Sequence, residues 1–234
     1  MAFWERLLTS RILAKFRIDA AYYGLRNERF ANVFRCMEYL DWLAIRGKKG
    51  DFWEFGVAHG QFITNAYHIS RHYQNLSDML FFGFDSFEGL PDIKHEKDRD
   101  SGWDKRYFYF NIKSVKQELK KSRVPTNKIT LIPGFYDKSL NEQTAIENNL
   151  TKVSYVHIDC DLYASTKPVL DFIKPFLIQG AIIDFDDYFC YESSELGEPK
   201  AFQEWLESNP DIKVRPFSRY SVFCQAFTIS LIEQ

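Results

Sequence analysis

Two short stretches of this 234-residue chain gather carboxylates in a way that invites chemistry. His157-Ile158-Asp159-Cys160-Asp161 ends one apolar run, and Asp184-Phe185-Asp186-Asp187-Tyr188 ends the next. Short apolar runs bounded by turn residues read as buried strands. With the two strands side by side, Asp159, Asp161, Asp186 and Asp187 meet in one cleft. Like charges at low dielectric are costly unless protonated or neutralised by a cation. An all-oxygen donor set suits a hard divalent ion such as Mg2+, which retains water or substrate oxygens as further ligands. The competing explanation is that these acids cap helices or pair with basic side chains. Asp184 and His157, both inside strands, read as structural, the latter as a core histidine with its hydrogen bonds satisfied.

A second constellation lies upstream. Glu54-Phe55-Gly56-Val57-Ala58-His59-Gly60 follows an apolar run, and glycine at 56 and 60 permits a tight turn with close backbone approach to a ligand. The spacing is not the G-x-G-x-x-G of a dinucleotide site, which disfavours a nicotinamide reductase. Asp85 ends the next apolar run, where a carboxylate in folds of this kind accepts hydrogen bonds from ribose hydroxyls. The simpler alternative for each is a turn with no ligand. Together they point to a nucleoside. His59, in the same turn, is a further candidate contact.

The elements that must position these residues alternate along the chain. Strands are predicted at 51–57, 79–85, 128–132, 153–159 and 181–185, with helices from 60 towards 73 and at 112–122, 139–149, 165–177 and 200–207. Two β-rich segments, 212–217 and 221–231, close the sequence. Strand–helix alternation with near-continuous apolar strands means a parallel sheet covered on both faces. The last two strands, joined by too short a connection for a crossover, must be antiparallel to each other. In such sheets ligands bind outside the carboxyl ends of the strands, where all the candidates sit. The first 48 or so residues read as helices, with Leu7, Leu8, Ile12, Leu13 and Phe16 on one face and Arg6, Arg11, Lys15 and Arg17 opposite. Residues 88–110, polar and then aromatic, are too long for a plain connection and are expected to form a lid or substrate loop.

Composition narrows the classes. Thirty Lys and Arg against 32 Asp and Glu leave a net charge of −2, which argues against a nucleic-acid partner. No run approaches the length of a transmembrane helix. Cys36, Cys160, Cys190 and Cys224 are scattered without zinc spacing, so free thiols and a cytoplasmic location are expected. Forty aromatic residues (22 Phe, 13 Tyr, 5 Trp) require a large core or an aromatic-walled pocket.

Taken in order, Trp53-Glu54-Phe55-Gly56-Val57 with Gly60, Phe84-Asp85-Ser86-Phe87-Glu88-Gly89-Leu90-Pro91, and Gly134-Phe135-Tyr136-Asp137 form a recognisable series. Asp159-Cys160-Asp161-Leu162-Tyr163 with Ser165-Thr166, then Asp186-Asp187-Tyr188, continue it. Over residues 50–205 the chain resembles the macrocin (TylF/MycF-type) O-methyltransferases, which methylate sugar hydroxyls of natural products. The resemblance implies an α/β, Rossmann-like class I methyltransferase fold: a seven-stranded, mostly parallel sheet with an antiparallel last strand and a helical N-terminal extension. Residues 1–48 would be that extension or a lid, and 49–234 the methyltransferase domain. S-adenosylmethionine is the implied donor and Mg2+ the implied ion. By motif position, Glu54 and Gly56, with Gly60, lie at the methionine end, Asp85 on the ribose, and Ser86, Gly134 and Phe135 around the adenine. Asp159, which also borders the donor, would hold the metal with Asp186 and Asp187, and Asp161 would be the general base. Cys160 stands where the family often has Gly. The implied acceptor is a sugar-containing small molecule or glycan, and a homo-oligomer is compatible. A catechol-type O-methyltransferase and a non-catalytic nucleoside-binding protein are the alternatives.

Overall fold

The structure, a computed structural model, describes residues 28–98, 102 and 108–232. The amphipathic pattern at residues 7–17 and part of the expected lid, 99–101 and 103–107, lie outside the described residues. Among the described residues, no helix is long and apolar enough to cross a membrane.

Seven strands form one sheet: β1 (Asp51–Phe55), β2 (Phe81–Asp85), β3 (Ile129–Pro133), β4 (Val153–Ile158), β5 (Leu177–Phe185), β6 (Ile212–Tyr220) and β7 (Cys224–Leu231). Their spatial order is β3-β2-β1-β4-β5-β7-β6. β1 to β5 pair in parallel, and β7 runs antiparallel to both β5 and β6. Strand order reverses between β1 and β4, so the crevice expected of an open α/β sheet opens beside their carboxyl ends.

The helices are α1 (Glu28–Ile45), α2 (Gln61–Ser70), α3 (Ile112–Lys121), α4 (Tyr136–Ser139), α5 (Glu142–Glu147), α6 (Tyr163–Ile173) and α7 (Gly197–Ser208). Strand alternation sorts them to the two faces, because successive side chains point opposite ways. Phe52, Phe81, Tyr155 and Ile182 face a cluster with Val33, Met37 and Leu40 of α1, Ile63 and Ala66 of α2, and Val115 of α3. Their neighbours Trp53, Phe82, Val156 and Ile183 face Val169, Leu170 and Ile173 of α6 and Phe202 and Trp205 of α7. Val33, Cys36, Met37, Leu40 and Ala44 recur at helical spacing and are buried, which is why α1 lies against the sheet.

Several predicted boundaries move. The strand expected at 181–185 begins at Leu177, and α6 ends at Ile173, where Lys174-Pro175-Phe176 tightens into a 3-10 turn. Gly180, read as a helix end, lies inside β5 at φ +88°, where an added Cβ would stand 2.9 Å from Leu43 of α1. The glycine marks the close crossing of helix over strand. The final hairpin turns at 221–223 rather than 218–220.

Asp184 is fully buried on the α1 face, where its carboxylate accepts hydrogen bonds from Tyr155 (2.7 Å) and Tyr220 (2.8 Å). Asn32 Nδ2 lies at 3.4 Å. The structural reading of this acid therefore holds. His157 is buried as expected, yet its hydrogen bonds are not satisfied: neither ring nitrogen has a partner. Its ring instead stacks on Phe62 with centroids 3.6 Å apart, and Nδ1 stands 3.5 Å from Asp184. Removing one tyrosine hydroxyl leaves a buried acceptor short of a donor, which costs roughly 1–3 kcal/mol. Tyr220→Phe is expected to lower the thermal midpoint by several degrees without altering donor affinity, as scanning calorimetry and ligand titration would read.

Candidate active site

The carboxyl ends of the strands open into a cavity of about 1360 Å3. Gly56, Asp85, Ser86, Gly134 and Phe135, from the turns after β1, β2 and β3, line it. Asp159, Asp161, Asp186 and Asp187, from the turns after β4 and β5, line it too, with Arg29 and Tyr191. Glu54 and Gly60 are not among its lining residues. Glu54 is buried at the end of β1 and accepts from the backbone of Ile63 at the start of α2, but its Oε2 has no partner. Gly60 is the N-cap of α2 in the left-handed region, φ +83°.

The glycine turn is needed for a reason that the sequence does not reveal. At Gly56, φ +94°, an added Cβ would fall 1.8 Å from the backbone oxygen of Asp159. The neighbouring strand end thus leaves no room for a side chain here. The left-handed φ costs a side chain about 1–2 kcal/mol, and overpacking adds about 1–3 kcal/mol. Gly56→Ala is therefore expected to lose at least about 2 kcal/mol in denaturant unfolding and to displace Asp159.

Asp85 organises the same corner. Its Oδ2 accepts from the Ala58 amide at 2.9 Å and its Oδ1 from the Phe87 amide at 2.7 Å. The Val57 amide and the Ser86 side chain also contribute hydrogen bonds to this carboxylate, so its turn role is well filled. Burial raises its pKa despite these backbone bonds. Ser86 donates to the Gly89 carbonyl at 2.8 Å, and the Gly134 amide donates to the Asp85 carbonyl at 2.9 Å. Phe135 caps α4. His59 lies at the rim, 3.2 Å from Gln61.

Across the cavity the four aspartates converge. One carboxylate oxygen from each of Asp159, Asp186 and Asp187 lies within 4.8 Å of the others. Burial, and then the negative neighbours, raise the pKa of Asp159 well above the ordinary carboxylate range. The same holds for Asp161, whose carboxyl is hydrogen-bonded to that of Asp187. Asp187 is raised by burial and by Asp186. Crowding of this kind disfavours full ionisation until another positive charge arrives.

One such charge is already present, and no sequence signal announced it. Arg29, in the first turn of α1, donates to Asp186. Burial opposes its charge, yet Asp186 and Asp159 push the guanidinium pKa up. Of the four acids, Asp186 alone is salt-bridged to a basic side chain among the described residues, so the competing explanation applies to one acid rather than to all. Two thiols also meet the cluster: Cys190 donates to Asp187 (2.7 Å) and Cys224 to Asp186 (3.3 Å). All four cysteines are free. Glu198, also unannounced, is buried behind the turns and accepts from the amides of Cys160 and Asp187.

The described part of the expected lid is tied to the body of the protein near Asp98. Asp98 accepts from the amides of Tyr163 (2.5 Å) and Ala164 (3.1 Å), satisfying donors at the start of α6. Lys97 adds a salt bridge to Glu204.

A sheet of this order with one antiparallel strand, and a cavity shared by a glycine turn and strand-end carboxylates, defines a class I methyltransferase. The sequence profile of the macrocin O-methyltransferase (TylF) family matches residues 9–206, and the chain belongs to that family. It is accordingly an S-adenosylmethionine-dependent O-methyltransferase. The profile extends well before residue 50, where the recognisable motifs begin. Among solved structures, the O-methyltransferase NovP superposes with a TM-score of 0.72 at 19% identity, covering 87% of this chain and 80% of that one. The calicheamicin methyltransferase CalS11 gives 0.68 at 22% identity, covering 96% and 88%. The O-methyltransferase TomG from Streptomyces achromogenes, in complex with S-adenosylmethionine, gives 0.54 at 10% identity, covering 93% and 96%. At these identities the likeness is one of fold. No curated protein matches the chain.

Proposed function

We propose that the protein transfers the methyl group of S-adenosylmethionine to a hydroxyl of a sugar, free or glycosidic, with a Mg2+ ion held at Asp159, Asp186 and Asp187. The observation that carries this reading is the meeting of four carboxylates in the cavity that the Gly56 and Asp85 turns also line. The donor set fits the ion. Oxygens about 2.1 Å from one Mg2+ stand at most about 4.2 Å apart, so the three carboxylates need move little. Asp85 and Gly56 line the cavity that would take the donor, whereas Glu54, whose Oε2 is a buried acceptor without a partner, lies behind that lining. In support of a sugar acceptor, a second structure of CalS11 is described as a TDP-rhamnose 3'-O-methyltransferase, with a TM-score of 0.59 at 20% identity.

The chemical difficulty is the nucleophile, because an aliphatic hydroxyl is far too weak an acid to ionise at neutral pH. A Mg2+ ion held by Asp159, Asp186 and Asp187 would supply Lewis acidity that lowers the pKa of an acceptor hydroxyl. The chain's own part is to accept the proton and fix the geometry. Asp161, beside Asp187 and lining the cavity, would take the hydroxyl proton as general base. The turns after β1 and β2 hold the donor while those after β4 and β5 hold the acceptor, so approach in line is set by the sheet itself.

The test is methyl transfer from labelled donor to a panel of nucleotide sugars, glycosides and catechols, with Mg2+ or with EDTA. Label entering sugars only when Mg2+ is present is the expected result. Preference for catechols, or full activity in EDTA, overturns the corresponding half of the reading. No transfer to any acceptor, together with intact donor binding, returns the chain to a nucleoside-binding role.

A further inference from the structure

The aspartates sit on two turns that leave the sheet one after the other. The last backbone bond joining them in the ladder is the Asp186 amide donating to the Ile158 carbonyl at 2.9 Å. Beyond it the chain after β4 makes an unusual turn. Asp161 has φ +60°, and the Leu162 amide donates to the Cys160 carbonyl at 2.6 Å, the rare γ-turn of positive φ. A backbone in that region persists only where its surroundings over-determine it.

Glu198, near the start of α7, supplies the missing tie. It is fully buried, and its Oε1 accepts from the Cys160 amide while its Oε2 accepts from the Asp187 amide, each at 3.2 Å. One carboxylate thus spans both turns, one oxygen to each. Tyr191 completes the frame by donating to the Asp161 carbonyl at 2.9 Å. Glu198 is not among the residues lining the cavity, so it acts only through the turns it holds. A further carboxylate buried beside this cluster is a poor choice for packing alone. Only a carboxylate offers two equivalent acceptor oxygens with no donor to clash with an amide.

We infer that Glu198 is a positioning residue for methyl transfer: it clamps the Asp161 turn to the Asp186–Asp187 turn and thereby sets the distance between the proton-accepting and the cation-holding acids. The inference rests on the roles proposed for those acids, and outer groups that orient metal ligands typically matter by about 10–100-fold in affinity or activity.

Glu198→Gln tests it, because the amide keeps the shape but presents an NH2 to one of the two backbone donors. Glu198→Asp, which keeps the charge but is too short to reach both amides, guards against a variant that fails to fold. Four readouts are taken: hydrogen exchange over residues 159–162 and 186–190, affinity for S-adenosylhomocysteine, kcat and donor KM, and Mn2+ binding by EPR. Both variants are expected to exchange faster over those two segments and to lose about tenfold or more in kcat and in Mn2+ affinity. Donor KM and S-adenosylhomocysteine affinity should stay within about threefold, since no donor contact is altered. Unchanged exchange and kcat overturn the inference. So does a loss of donor affinity in step with kcat, the mark of general unfolding. Wild-type protein that binds no Mn2+ removes the cation reading alone, and exchange with kcat still decides the role of Glu198.

Discussion

Asp161→Asn should leave S-adenosylmethionine binding nearly intact while lowering turnover by roughly 10²–10⁴, the usual worth of a general base. Asparagine has the shape of aspartate but cannot take a proton, so the change removes the proposed proton acceptor and keeps the packing. The donor-side turns, built around Gly56 and Asp85, approach the cavity from other strands and should not register it. The same substitution has a second, opposite expectation. Burial and the negative charges of Asp187 and Asp186 hold the Asp161 pKa well above its unfolded value. Between those two values the folded chain binds the proton and the unfolded chain does not, so this group erodes stability as pH rises through that window. Asp161→Asn removes the penalty. In cation-free buffer the variant should therefore melt above the wild type, by a margin that widens as pH rises above the ordinary carboxylate range; a stability change of 1 kcal/mol shifts the midpoint by about 2–4 °C in a chain of this size. Loss of turnover with gain of stability separates a functional acid from a structural one. A variant that loses both would place Asp161 in the scaffold.

Asp187→Ala is expected to abolish the response to Mg2+ together with activity. Asp187 offers an oxygen to the three-acid cluster, shares a hydrogen bond with Asp161 and receives one from Cys190. Its removal takes away a proposed ligand and also leaves Asp161 without the partner that helps to raise its pKa. Turnover should fall at least as far as in Asp161→Asn, and Mn2+ titration followed by EPR should show the site lost or weakened by more than about tenfold. Because Asp186 stays paired with Arg29, the cluster keeps one neutralised acid, and the fold should survive. An Asp187→Ala enzyme still stimulated by Mg2+ would place the ion elsewhere.

Arg29 gives these experiments a further edge. It neutralises Asp186 from the first turn of α1, and Asp159 also feels its charge. The arginine thus draws on the same carboxylates that the proposed cation would use.

Much of the scaffold was legible in the residues. The apolar strands, their alternation with helices and the short final connection specify the sheet, because parallel strands buried on both faces must be apolar throughout. The placing of Asp85, Asp159, Asp186 and Asp187 followed as well, since each ends an apolar run and strand ends face the crevice. Boundaries were less legible. Gln179-Gly180 has the look of a helix stop, but Gly180 serves the crossing of α1 over β5, a demand made by a helix more than 130 residues earlier in the chain. His157 was readable as buried, but not as stacked on Phe62 without a hydrogen-bond partner.

By itself, then, the amino-acid order determined which class of sheet forms and which carboxylates end its strands, because both depend on local periodicity and on neighbours along the chain. Only the tertiary structure decided what surrounds those carboxylates. Arg29 lies 157 residues from Asp186, Cys224 lies 38 from it, and Glu198 reaches two turns from a third element. A basic residue early in a helix or a glutamate at a helix start is ordinary in a sequence. Each becomes part of the site only when packing removes water from around it, for then a charge must find an opposite charge or a hydrogen bond within a few ångströms, and the fold alone chooses which.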